Sequence, residues 1–254
     1  MRRRACLTVQ GAEAATFLQN LVTCDVEIGI GELTFGALLT PQGKVMFDFF
    51  VLREANGYLF DTLADARDEL VRRLFFYKLR AAVLIEADDR VPLLTADGHA
   101  DPRSASLPMR SYGSGEDDPE RFYDLARLNA GVPDAGSDFE YGDAFPHDVL
   151  MDRFERSGSG VAFRKGCYVG QEVVSRMQHR GTARRRPIVL NVPPTAAAGD
   201  EVLADGRAVG KLGTVVDGHA LAIVRLDRVE AAEVVTVREQ SASWKPSPLL
   251  QGGP

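Results

Sequence analysis

The chain is poor in cysteine. It has three in 254 residues, Cys6, Cys24 and Cys167, an odd number at wide spacing with no CxxC. That excludes a disulfide scaffold, a structural zinc knuckle and a thioredoxin-like pair. The four histidines, His99, His147, His179 and His219, show no HExxH or HxH spacing, so no metal site is expected from this chain alone. No apolar run approaches the ~20 residues of a membrane helix. The opening MRRRACLTVQG lacks the apolar stretch of a secretory signal. With no disulfide framework, the expected home is cytoplasmic. Hydrophobic residues at 45% and charged residues at 26% are those of a globular protein, and disorder or a collagen-like fibre is excluded. A net charge of −6 excludes a protein that coats nucleic acid over its whole surface.

The charge is concentrated. Residues 164–186, RKGCYVGQEVVSRMQHRGTARRR, carry seven cations and one acid, a local charge of +6 on a chain whose remainder sums to −12. Residues 116–157 hold twelve acids and four arginines. The basic segment reads either as a site for something anionic or as a solvated face making ion pairs with the acidic one.

Residues 12–22 place Phe17, Leu18, Leu21 and Val22 on one helical face. GALLT reads as a strand after a Gly-rich stretch, Pro41-Gln42-Gly43 as a turn, and KVMFDFFVLR as a long strand that returns through Asn56-Gly57 into YLFDTL. Both faces of the long strand are apolar, so it is expected to be buried on both sides. Asp48 then lies among large apolar neighbours. A two-residue Asn56-Gly57 turn would pair Leu52 with Asp61 and put Asp61 on the same face. Such a carboxylate is either a ligand-facing acid or half of a structural ion pair with an arginine.

Residues 64–76 read as an amphipathic helix, followed by Tyr77-Lys78-Leu79-Arg80 and a strand, AAVLIEA. Residues 97–120 read as loop with short pieces of structure, and residues 120–129 as a helix stopped by Gly131 and Pro133. Ser157-Gly158-Ser159-Gly160 reads as a flexible lead-in to the basic segment. After Pro187 come short β-branched runs punctuated by Asp205-Gly206 and Asp217-Gly218, the pattern of a small barrel or sandwich. The expected division is 1–186, with a second subdomain near 45–110, and 187–254. The tail QGGP is expected to be disordered.

Cys167 follows Arg164-Lys165-Gly166 and precedes an expected helix over 169–179. Two cations and a helix N-terminus favour the thiolate, the nucleophilic and metal-ligating form. Gly166 and Gly170 permit tight turns or close approach. Glu172, Arg176 and Arg180, at i, i+4 and i+8, line one helical face, with Val173, Val174 and Met177 on another. The plain alternative is a small buried cysteine at a helix start.

The octapeptide KGCYVGQE, followed by SRMQHRG, resembles the hallmark of the YgfZ family with its Iba57-type iron–sulfur assembly factors. Further blocks resemble that family in order: GAEAATFLQNLVTCD, LLTPQGKVMFDF, YKLRAAVLI, RLNAGVP, and GKLGTVV with HALAIVRL. The resemblance implies an α+β, aminomethyltransferase-like folate-binding module followed by a small C-terminal β-barrel. It implies tetrahydrofolate or a derivative as cofactor, and iron–sulfur client or assembly proteins as partners, including radical enzymes that modify tRNA. Lys165, Gly166, Cys167, Tyr168, Gly170, Gln171 and Glu172 match the motif position by position. Asp48, Lys78, Arg80 and Arg127 match other blocks as candidate pocket residues. Asn129 and Arg176 complete the candidate set, and Cys167 is its reactive thiol. The chain departs from the aminomethyltransferases at Phe47, where a second acid is usual, and at Asn129, where glutamate is frequent. Both changes count against methylene transfer, and Cys24 takes a position often held by asparagine.

Three functions follow for comparison. The first is a folate-binding factor in iron–sulfur cluster assembly or repair, with Asp48 near the pterin, and Lys165, Arg176 or Arg180 near the anionic glutamate tail. One cysteine cannot hold a cluster alone, so any cluster is shared with a partner. The second, the enzymatic alternative, is a tetrahydrofolate-dependent one-carbon transferase or demethylase. The third is an RNA-binding module on the +6 segment, disfavoured because Tyr168 is its one aromatic residue. A monomer is the default state, with no membrane partner.

Overall fold

The computed structural model describes residues 3–115, 120–181 and 183–251. The GGP end of the expected disordered tail lies outside the described residues. The first sheet is antiparallel, built from β1 (Arg4–Gln10), β2 (Leu33–Leu39), β3 (Val45–Glu54), β4 (Gly57–Leu63) and, after one intervening helix, β5 (Leu84–Asp88), in the order β2-β3-β4-β1-β5. Helix α1 (Ala14–Gln19) follows β1, and α2 (Ala64–Lys78) follows β4. α1 is shorter than the periodicity suggests, because Leu21 and Val22 are buried in the turn beyond it.

β3 is buried on both sides, as its composition requires. Phe47, Phe49 and Val51 enter one core cluster, with Leu7, Phe60, Leu70 and Leu74, while Phe50 and Leu52 enter the other. The hairpin turn is Ala55-Asn56, one residue earlier than expected, so Leu52 opposes Leu59 and Phe50 opposes Asp61. The two-residue shift in partner preserves parity, and Asp61 stays on the face of Asp48. Strands β3 and β4 pair with β2 and β1 in one sheet, so a subdomain beginning near residue 45 is not separate from residues 4–39.

β6 (Val91–Thr95) and β7 (Met109–Gly113) form a two-stranded ladder within the segment read mostly as loop, and α3 (Glu120–Ala130) follows. Residues 157–160 are not a flexible lead-in. Ser159 is buried, Gly160 N–H donates to Phe35 O at 2.7 Å, and Thr23 Oγ1 donates to Gly160 O at 2.6 Å. Backbone groups buried here must find partners, and the small residues let the segment lie flat against β2. Helix α4 (Gln171–Arg180) begins two residues later than expected, because Gly170, at φ +79°, is its N-cap.

The C-terminal part is a seven-stranded, nearly closed barrel. Its strands are β8 (Arg185–Asn191), β9 (Glu201–Ala204), β10 (Arg207–Val216), β11 (His219–Arg225), β12 (Val235–Val237), β13 (Gln240–Ser241) and β14 (Ser243–Pro246), with α5 (Leu226–Glu230) between β11 and β12. The turns Asp205-Gly206 and Asp217-Gly218 have positive φ at both residues, the primed geometry that matches strand twist. Ile188, Leu190, Val202, Ala222 and Val224 fill the barrel, while Ile223 faces the other way into the core shared with Phe35 and Phe50.

Candidate functional site

Segment 165–171 leaves the core and returns to it within a few residues. Lys165 is half-buried, and its ammonium donates to Val22 O and Cys24 O, both at 2.7 Å. Burial lowers its pKa below the usual lysine value. Tyr168 is 7% exposed and packs in the core with Leu39, Val45 and Val174. Between these two anchors Gly166 and Cys167 are exposed. Cys6 and Cys24 are fully buried, so Cys167 is the one cysteine that a partner or reagent can reach. Helix α4 starts four residues after Cys167, so the thiol stands beyond the turn over which the helix field acts, contrary to the expected placement.

The joint beneath this arch is built from two glycines. Gly43, at φ +81°, has room for no side chain, since an added Cβ would lie 2.9 Å from Val173 Cβ. At Gly170 an added Cβ would lie 2.6 Å from Thr40 O. The Thr40–Lys44 turn therefore seats directly on the start of α4. Within α4, Glu172 and Arg176 pair at 2.7 Å on the exposed face, and Val174 is buried on the other. Gln171 is half-buried as the first helical residue.

A cleft of about 1250 Å³ lies beside the arch. Its wall includes Asn129, Arg153, Arg156, Arg164, Lys165 and Gly166. This volume accommodates a cofactor-sized ligand; Asp25, Glu27, Asp152 and Glu155 share the wall, and Arg153 and Arg156 pair with Asp152 and Glu32 at 3.4 and 2.8 Å, so Arg164 is the wall's candidate for a ligand carboxylate. Of the twelve residues expected at the cofactor, Asn129, Lys165 and Gly166 line the cleft; Tyr168, Gly170, Gln171, Glu172 and Arg176 belong to the arch and α4 outside its wall, and four others lie elsewhere. Asp48 is 3% exposed, and its Oδ1 accepts from Tyr141 Oη at 2.8 Å. Burial pushes its carboxyl up to about 6, with Arg4 and the Tyr141 hydrogen bond acting in the opposite direction. Lys78 and Arg80 lie at the outer end of α2, where Lys78 sits over the Phe75 ring and Arg80 is exposed. Arg127 is buried, and its two terminal nitrogens are engaged with Val132 O, Asp124, Asp138 and Thr214. The acid assigned to the pterin is thus closed off by a tyrosine.

Sequence reading missed Tyr141, which lies in the acidic segment with no local pattern to mark it. It also missed a buried network behind Asp48. Arg103 and Arg110 donate to the hydroxyl of Tyr123 at 2.6 and 2.9 Å, Arg103 pairs with Asp101 at 2.8 Å, and Asp61 pairs with Arg4 and Arg110. The guanidinium carbon of Arg110 stands 3.8 Å above the Phe50 ring. Asp61 is therefore the structural ion-pair acid.

The +6 segment is not one basic face. Arg186 is buried in a bidentate pair with Asp152 at 2.7 and 2.9 Å, and Arg185 pairs with Asp143 at 3.2 Å. Two of its seven cations are thus spent on the acidic segment 143–152, which weakens the RNA reading.

An antiparallel α+β module joined to a seven-stranded barrel defines an aminomethyltransferase-like class of fold. The glycine cleavage system aminomethyltransferase T of Bartonella henselae aligns with a TM-score of 0.75 over 97% of this chain and 83% of its own, at 16% identity, a likeness of fold. The family model for the CAF17 C-terminal beta-barrel domain matches residues 184–248. An iron–sulfur cluster assembly factor IBA57 homolog, mitochondrial, from Pyricularia oryzae is 28% identical over 281 residues, covering 89% of this chain and 71% of its own. The Chaetomium globosum homolog is 27% identical over 80% of this chain and 58% of its own length. These matches make the chain similar to Iba57-type assembly factors and bear out that resemblance. They overturn the cytoplasmic expectation, because the relatives are named as mitochondrial.

Proposed function

We propose that the chain is an iron–sulfur cluster assembly factor in which Cys167 supplies one thiolate to a cluster completed by a partner protein. The reading rests on the relatives named as cluster assembly factors and on one observation: the only exposed cysteine stands on the motif arch. Four thiolates usually hold such a cluster. Cys167 supplies one, and the partner the remainder. Entry of Cys167 exchanges one thiolate ligand for another, without change in the electron count of the cluster. Clients that include radical enzymes modifying tRNA belong to this reading through the family resemblance. Deletion of the gene should lower the activity of a cluster-dependent enzyme, and re-expression of Cys167→Ala should fail to restore it. Full restoration would overturn the reading.

A reduced folate is the small-molecule ligand we favour, on the strength of the fold likeness. Its place is the cleft beside Lys165, where Arg164 would meet a glutamate carboxylate, and not Asp48. Bound there, the folate would bring redox and one-carbon chemistry. Titration calorimetry with tetrahydrofolate should give binding that weakens in Arg164→Ala and is unchanged in Lys78→Ala. Equal loss in both would place the ligand elsewhere.

A further inference from the structure

We infer that Lys165 is a positioning residue, which clamps the arch so that Cys167 is presented at a fixed point in space. Val22 and Cys24 are two apart in the chain, and their carbonyls converge on one ammonium, each at 2.7 Å. The intervening Thr23 ties that segment to the rest of the molecule. Its N–H donates to Ala37 O at 2.9 Å, its hydroxyl to Gly160 O at 2.6 Å, and its carbonyl accepts from Ala162 N–H at 2.9 Å. The clamp therefore grips a segment bound to β2 on one side and to the strap 160–162 on the other. The second anchor, Tyr168, is sunk in the core, and the Lys165 ammonium lies 5.5 Å from its ring centroid. Only Gly166 and Cys167 span the distance between the anchors. An added Cβ at Gly166 would meet nothing within 4 Å, so no packing holds this stretch from above. Order in the arch must come from its two ends.

This assigns Lys165 a different task from ligand binding. An ammonium has three donors, and two are already spent on carbonyls. The role at Cys167 rests on the cluster-assembly reading, whereas the clamp itself does not. A thiolate that must meet a cluster at one geometry gains from being held there before the encounter, because ordering it on binding would weaken the complex.

The test has two arms. In the first, amide relaxation of the isotope-labelled full chain is measured for wild type, Lys165→Met and Lys165→Arg. Residues 166 and 167 should have order parameters of about 0.85 in wild type and below about 0.6 in Lys165→Met, with Lys165→Arg recovering most of the difference through its own donors. Unchanged order parameters in Lys165→Met would overturn the clamp. If that variant does not fold, Lys165→Gln, which shortens the reach and keeps a donor, is read in the same way. In the second arm, cluster-enzyme activity in the deletion strain should fall about tenfold with Lys165→Met and be largely rescued by Lys165→Arg, as expected for loss of a charged hydrogen-bond donor. A loosened arch with full activity would overturn the positioning role. Full activity of Cys167→Ala would sink the cluster reading and leave the relaxation result standing.

Discussion

At the scale of single residues, the two acids of the β3–β4 hairpin have parted. Asp61 is held by Arg4 and Arg110, while Asp48 faces a neutral tyrosine. Burial raises the Asp48 carboxyl from 3.8 to about 6. A carboxyl that binds protons more tightly folded than unfolded contributes most stability below its unfolded value. That contribution is lost as pH rises from about 4 to about 6, and the loss is at most about 3 kcal/mol at 1.4 kcal/mol per unit. Asp48→Asn keeps an acceptor for Tyr141 and removes the titration. Its urea midpoint should exceed that of wild type at about pH 7.5 and change less between about pH 4.5 and 7.5. Tyr141→Phe should act in the opposite sense, losing about 1–3 kcal/mol by leaving a buried carboxyl without its donor. Its Asp48 should titrate higher still, as carbon-13 carboxyl shifts would report.

Among the elements, the decisive joint is the seat of the Thr40–Lys44 turn on α4. Both contact glycines have positive φ and no space for a Cβ. Gly170→Ala combines left-handed strain with a clash against the Thr40 carbonyl, and should cost about 2 kcal/mol or more, measured by thermal or urea unfolding. Gly181, the C-cap of the same helix, also has positive φ, but open space around it. Gly181→Ala should therefore cost only about 1 kcal/mol, and the difference between the two isolates the contact from the backbone strain. The seat also explains why the P-Q-G-K block and the KGCYVGQE block occur together in one chain: the first is the surface on which the second is set.

Across the whole molecule, buried ion pairs join the barrel to the rest. Arg127 of α3 donates to Thr214 of β10, and the Asp138 carboxylate accepts from both Arg127 and the Thr214 N–H. Arg186 of β8 holds Asp152. Arg127→Met would leave Asp138 buried without its cation, at a cost of about 3–5 kcal/mol, and should separate one unfolding transition into two by calorimetry. We propose as the two units so separated the barrel, which begins with β8 at Arg185 rather than at the expected 187, and the residues before it. Neutralising Arg186 should likewise lower the melting temperature, so a change in anion binding by that variant would have to be read beside its stability.

The sequence by itself determined much at short range. Alternation in β3, the Asp-Gly turns of the barrel, the stop at Gly131 and the octapeptide around Cys167 are all readable because helix period, strand period and turn chemistry act over a few residues. The same locality limited it. The turn at Ala55-Asn56 slipped by one residue, and Ser157–Gly160 looked loose because its hydrogen-bond partners lie more than a hundred residues away. Tertiary structure alone decided that Asp48 meets Tyr141, that Arg127 bridges to the barrel, and that Arg185 and Arg186 of the +6 segment pair with Asp143 and Asp152. It also decided which of three cysteines is exposed. Burial and charge pairing are properties of distance in space, and a residue's neighbours in the chain do not fix them.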